Sequence, residues 1–175
     1  MTASGPLVVG LGRPDRGDDG VGSAVARAVA ALALPGVEVR EELDPTDLVA
    51  LWDGRCCAVV VDAVRSGRPP GTLVVLEAGA DAEPLPESAW AGSGRGSTHA
   101  LGLAAAVELA RVLHRLPARV RVVGVEAAGF DHGAALTPGV AAAVPAAVGA
   151  VTTALQQAHQ ERQQETQQEA PGVPR

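Results

Sequence analysis

Leu7-Val-Val-Gly-Leu-Gly-Arg-Pro-Asp-Arg-Gly-Asp-Asp-Gly-Val-Gly22 is the stretch that decides how this chain folds. Its apolar start, Leu7–Leu11, reads as a buried strand, and Gly10 and Gly12 allow the backbone to turn tightly. An amphipathic helix follows, over Val21–Leu34. Asp18 and Asp19 therefore fall in a strand-to-helix crossover. An open α/β sheet places its ligands at such crossovers, beyond the carboxyl ends of its strands. Adjacent carboxylates repel each other, and packing gives no reason to put them there. A cation or a proton-transfer task does.

Outward from this stretch, short β-branched runs alternate with Ala-rich helical segments, the pattern of a βαβ sheet. Strands are expected at Leu7–Leu11, Val37–Leu43, Ala58–Val61, Thr72–Leu76 and Val120–Val125. Helices are expected at Val21–Leu34, Thr46–Trp52, Thr98–Leu113 and Pro138–Gln157, the last with Thr137 as its N-cap and a kink at Pro145. The fold class is α/β: an open, twisted, mostly parallel five-stranded sheet with helices on both faces. Ala78–Gly96 is the longest irregular stretch and precedes His99. Residues 1–158 form the single domain. Residues 159–175, rich in Gln and Glu, are expected as a frayed helix running into a disordered tail.

The chain has 175 residues, enough for one domain with a sizeable core. Hydrophobic residues make up 47% of it, mostly Ala and Val, with only 2% aromatic. Small branched side chains must therefore build the core. The net charge of −6 leaves no basic face for nucleic acid or anionic lipid. No run is expected to approach the roughly 18 apolar residues of a membrane span. No signal-peptide pattern opens the chain. Two adjacent cysteines, Cys56 and Cys57, cannot staple distant segments and read as reduced thiols opening a strand. The expected setting is cytoplasmic, and the expected state a monomer.

Asp62 closes the run Ala58-Val-Val-Val-Asp62. That pattern describes a buried central strand whose last residue emerges at the sheet's carboxyl edge, beside Asp19 if the first strand is its neighbour. A turn cap is the other reading of Asp62. His99 opens a helix, where the positive end of the dipole disfavours imidazolium and keeps the ring fit for a metal. It also reads as a surface or capping residue. Two carboxylates and one neutral imidazole would make a three-ligand site with open positions, suited to Zn, Ni, Co or Mn. His132 is a weaker candidate, and His114 and His159 read as solvated.

Six motifs occur in order: Gly10-Leu-Gly-x-x-x-Arg-Gly-Asp-Asp-Gly-Val-Gly22, Val60-Val-Asp-Ala63, Pro70-Gly-Thr72, Thr98-His-x-Leu-Gly102, Val123-Gly-Val125 and Leu136-Thr-Pro138. Together they resemble the hydrogenase maturation proteases, over roughly Leu7 to Leu155. The resemblance implies an endopeptidase that removes the C-terminal extension of a nickel-loaded [NiFe] hydrogenase large-subunit precursor. It implies Asp19, Asp62 and His99 as both the metal-binding and the catalytic residues. The metal would be the precursor's nickel or a Zn-like divalent ion at the same site. Asp18 is the second candidate for the general base, or else a residue that orients its loop. The family's Gly-Gly-Thr stretch is replaced here by Leu43-Asp-Pro-Thr46, so Asp44 and Thr46 are the expected substrate-recognition positions. That departure also motivates an alternative, a non-catalytic nickel-sensing chaperone or binding module for a large subunit. Arg13-Pro14 stands where the family commonly has Asn. A dinucleotide site is a poor reading, because Asp15 occupies the third glycine position of the fingerprint.

Overall fold

The structure is a computed structural model that describes residues 5–86 and 98–169, with the side chains of 98–101 and 169 outside that description. Five strands form one sheet: β1 (Leu7–Leu11), β2 (Glu38–Glu42), β3 (Cys57–Val64), β4 (Leu73–Glu77) and β5 (Arg119–Glu126). Their spatial order is β2-β1-β3-β5-β4. All neighbours run parallel except β4, which is antiparallel to β5. Among the described residues, four α-helices accompany the sheet: α1 (Val21–Ala31), α2 (Leu48–Leu51), α3 (Thr98–Val112) and α4 (Pro138–Glu169). The open, mostly parallel α/β sheet read from the sequence is the one observed.

The central strands β1 and β3 are buried along their whole length, as expected of apolar runs covered on both faces. β2, Glu-Val-Arg-Glu-Glu, lies at an edge, where Arg27 pairs with Glu41 and Arg55 with Glu38. Charged edges of this kind discourage pairing with another chain. Alternate residues of β3 split between two cores. Ala58, Val60 and Val64 pack with Trp52, Leu103 and Val107 under α2 and α3. Val59, Val61 and Ala63 pack with Val25, Val140 and Val151 under α1 and α4. Gly10 and Gly22 make the α1 contact possible: a Cβ on Gly22 would collide with the backbone carbonyls of Leu11 and Val61. α1 thus lies almost directly on the sheet.

The connections leave β1 and β3 in opposite directions, toward β2 and toward β5. Between them lies the switch point where ligands bind in doubly wound sheets. β1 pairs with β3 only as far as Gly10 and Val61, so the two strands part just before Asp62.

Two expectations about α4 change. The helix does not stop at Gln157, and the stretch expected to fray is helical up to the last described residue. It continues through Pro145 and on to Glu169. Arg119 and Arg121 at the start of β5 hold its extension through Glu161 and Glu165. α4 also contains a window long and apolar enough to cross a membrane. The sequence reading overlooked it because Gly, Pro and Thr interrupt the run without adding charge. Its apolar face, including Val140, Ala147, Val151 and Leu155, packs on the sheet.

Candidate active site

Asp62 belongs to the row of β3 that includes Val60 and Val64, which places it on the α3 face at the carboxyl end of the strand. It is 1% exposed. One carboxylate oxygen accepts the Ala63 N–H at 2.9 Å, and the other has no partner among the described residues. Burial, and then the negative charge of Asp19, push its pKa up to about 8. The two carboxylates thus sense each other across the switch point. No cation offsets that repulsion among the groups that shift Asp62.

Asp19 is carried by the 3-10 turn Gly17–Gly20 and is largely buried. Its Oδ2 accepts the backbone N–H of Arg13 at 2.9 Å. Gly12, at φ +110°, lets the chain close over this turn, since a side chain there would meet the Asp19 carbonyl. The contact uses only the main chain of Arg13. A departure from Asn at that position therefore leaves this bond available.

Asp18 and Asp19 are adjacent but occupied differently. Asp18 is fully buried, and both of its oxygens accept hydrogen bonds from the loop between β5 and α4. With its oxygens engaged in this way it is poorly placed to take a proton from water, and its geometry is that of a loop anchor. Thr137 directly precedes α4, where the sequence placed its N-cap, and its hydroxyl donates to Asp18.

His99 is the second residue of α3. The buried residues of that helix, Leu103, Ala106 and Val107, lie in the same core as Val60 and Val64, so α3 covers the face to which Asp62 belongs. The His99 side chain lies outside the described residues. Among the described residues, no three His, Cys, Asp or Glu side chains gather as a metal site.

The 43–47 loop is more ordered than a glycine pair would make it. Asp44 Oδ1 accepts both the N–H of Thr46 at 2.9 Å and its hydroxyl at 2.8 Å, capping the short turn Pro45–Asp47. Pro45 is buried, and a Cβ on Gly102 of α3 would come within 3.2 Å of its ring. This loop and the first turns of α3 therefore form one surface. His132 is exposed on the β5–α4 loop. His114 lies in the turn just after α3, and His159 meets Gln163 on the exposed side of α4.

Sequence reasoning missed the partners of Asp18 and one further buried carboxylate, Glu126. Glu126 closes the apolar run of β5 just as Asp62 closes that of β3, so its signal was available. Cys57 opens β3 as expected, and both cysteines are free thiols. Burial pushes the Cys57 thiol up to about 12, far from a reactive thiolate.

The family profile described as "HycI: Hydrogenase maturation protease" matches residues 44–154, more than half of the chain. Solved structures agree. The hydrogenase maturating endopeptidase HybD from E. coli is 25% identical and superposes with a TM-score of 0.71, over 87% of this chain and 92% of that one. An endopeptidase from Escherichia coli solved in solution is 26% identical with a TM-score of 0.75, over the same shares of 87% and 92%. The hydrogenase 2 maturation peptidase from Thaumarchaeota archaeon SCGC_AB-539-E09 is 28% identical with a TM-score of 0.61, over 86% and 97%. No curated protein sequence matches the chain.

Proposed function

The chain belongs to the hydrogenase maturation protease family, and from that premise we propose that Asp19, Asp62 and His99 form the cleft in which it processes its substrate. It is a peptidase of C-terminal processing in hydrogenase maturation. The finer proposal is that the cleft receives the nickel carried by a [NiFe] hydrogenase large-subunit precursor. The orphaned oxygen of Asp62 beside Asp19 carries this reading. A buried carboxylate pair without counter-charge fits a divalent cation, which would supply the missing charge.

The precursor's nickel, as part of the substrate, would bring the C-terminal segment to the two carboxylates. A resident Zn-like ion would fit the same donors and would supply Lewis-acid polarisation of a carbonyl. The chain's own part is proton handling. Hydrolysis adds water across the C–N bond: the oxygen goes to the carbonyl carbon and a proton to the leaving nitrogen. A carboxylate of the Asp19–Asp62 pair can take the proton from water and return it to the amine. Burial at the switch point strengthens each of these interactions by excluding bulk solvent. We place the protein in the cytoplasm as a monomer, with the two free thiols as support for a reducing compartment.

The test is to incubate the protein with nickel-loaded and nickel-free precursors and to identify any released C-terminal peptide by mass. Release from the loaded precursor alone is the expected result. Equal release from both would remove nickel from the recognition step. Tight binding without release would make the chain a nickel-sensing chaperone.

A further inference from the structure

We propose that Asp18 is a positioning residue for peptide cleavage, clamping the β5–α4 loop onto the turn that carries Asp19. The inference rests on the endopeptidase reading above. Four donors converge on this one buried side chain. The N–H groups of Ala128 and Gly129 reach Oδ2 at 2.8 and 3.1 Å, the Thr137 hydroxyl reaches Oδ2 at 2.9 Å, and the Thr137 N–H reaches Oδ1 at 2.7 Å. Thr137 immediately precedes α4, so the positive end of that helix also faces the carboxylate.

Main-chain bonds stitch the same two loops together. Asp18 N–H donates to Gly129 at 3.0 Å, Gly17 N–H to Ala134 at 3.1 Å, and Gly133 N–H to Asp15 at 2.7 Å. The clamp therefore spans the whole loop rather than one contact. Its exposed tip, Asp131–Ala135, stands at the carboxyl edge that a docked precursor must approach.

The geometry of a 3-10 turn gives the clamp its consequence. Successive side chains are separated by about 120°, so neighbours in sequence point in different directions. Asp18 can face the β5–α4 loop while Asp19 faces the cleft. Among the described residues, the Asp19 side chain has one hydrogen bond, from the Arg13 N–H. Its position is therefore set largely by the backbone that Asp18 fixes. A misplacement of about 1 Å at a reacting group can cost on the order of 100-fold in rate.

The variant of choice is Thr137→Val, which removes the hydroxyl bond to Asp18 and keeps the N–H bond. Asp18→Asn would leave several buried donors facing an amide and would endanger folding. With the nickel-loaded precursor, well below the melting temperature, Thr137→Val is expected to lower kcat about 10-fold while KM stays within about twofold. Thr137→Ser, which restores the hydroxyl, should recover kcat. Val151→Ala in the core under α4 serves as the stability control: it should lower the melting temperature and retain wild-type kcat. A wild-type kcat in Thr137→Val, a change confined to KM, or an equal kcat loss in Val151→Ala would overturn the proposal. Absence of cleavage by the wild type itself would overturn the endopeptidase reading, and this one with it.

Discussion

Asp62 and Glu126 lie near the carboxyl ends of neighbouring strands, two residues apart in register, yet they are built for opposite purposes. Each closes an apolar run and each is at most 2% exposed. Glu126 accepts the N–H groups of Ser66 and Gly67, both at 2.9 Å, and the Ser66 hydroxyl at 2.8 Å. It fastens the turn that follows β3. Asp62 receives one bond from its own neighbour, has an oxygen with no partner among the described residues and confronts the charge of Asp19. Buried polar groups in native proteins are nearly always bonded, so an exception calls for a reason. Donor supply, more than burial, separates the carboxylate that holds the fold from the one prepared for a ligand.

Removing the charge at each position tests that contrast, and Asp62 should give the larger effect. Asp62→Asn keeps the volume and removes the group proposed to hold a cation and move a proton. Cleavage of the nickel-loaded precursor should fall at least about 100-fold, the usual contribution of a general acid or base. Circular dichroism should remain native. Wild-type cleavage in this variant would return Asp62 to the role of a turn cap.

The same side chain should impose a pH dependence on the metal-free protein. Its folded pKa of about 8 lies above the value of about 3.9 expected in the unfolded chain. Between these values the folded state binds the proton and the unfolded state does not, so stability falls as pH rises. The loss should accumulate up to about pH 8 and level off above it. Its size is on the order of several kcal/mol. Melting curves of chelated protein from pH 5 to 9 should show this decline, and Asp62→Asn should lack it. Parallel curves for the two proteins would mean that burial and Asp19 together do not raise Asp62 as described.

Glu126→Gln should do the reverse. An amide would turn an N–H toward backbone donors, leaving at least one buried group unsatisfied, at a cost of about 1–3 kcal/mol. The melting temperature should drop while kcat per folded molecule stays near wild type. A loss of kcat matching that of Asp62→Asn would erase the distinction between anchor and site.

The sequence made β1, β3 and the crossover legible because their signals are local. Leu7–Leu11 is found where the apolar run predicted it, and β3 only extends the predicted Ala58–Val61 to Cys57–Val64. Asp62 and Glu126 show where such reading stops. Their sequence signals are the same, and only the fold decides that Ser66 and Gly67 return to one and not to the other. Asp18 is a similar case, since its partners lie more than a hundred residues away. The end of α4 was missed for a related reason. Gln and Glu content suggested disorder, but the arginines that hold the helix come from the start of β5.

The smallest expected effect lies in the loop between β2 and α2, where sequence and structure assign different consequences to one change. From sequence alone, replacing Asp44-Pro45 by Gly-Gly should alter substrate choice and leave the metal site untouched, because its ligands lie on other segments. The structure ties the two together, since Pro45 packs against Gly102, three residues after His99. The positions should therefore be changed separately. Asp44→Ala removes the cap that engages the Thr46 N–H and hydroxyl, at a cost of about 1 kcal/mol. It should shift preference between a cognate and a non-cognate precursor by up to about 10-fold and leave nickel affinity unchanged. Pro45→Gly loosens the seat of α3 and should weaken nickel binding by calorimetry as well. If both variants change preference alone, α3 holds His99 independently of the loop. If neither changes preference, the loop is a structural prop, and specificity must be sought on the surface beyond the 127–137 loop.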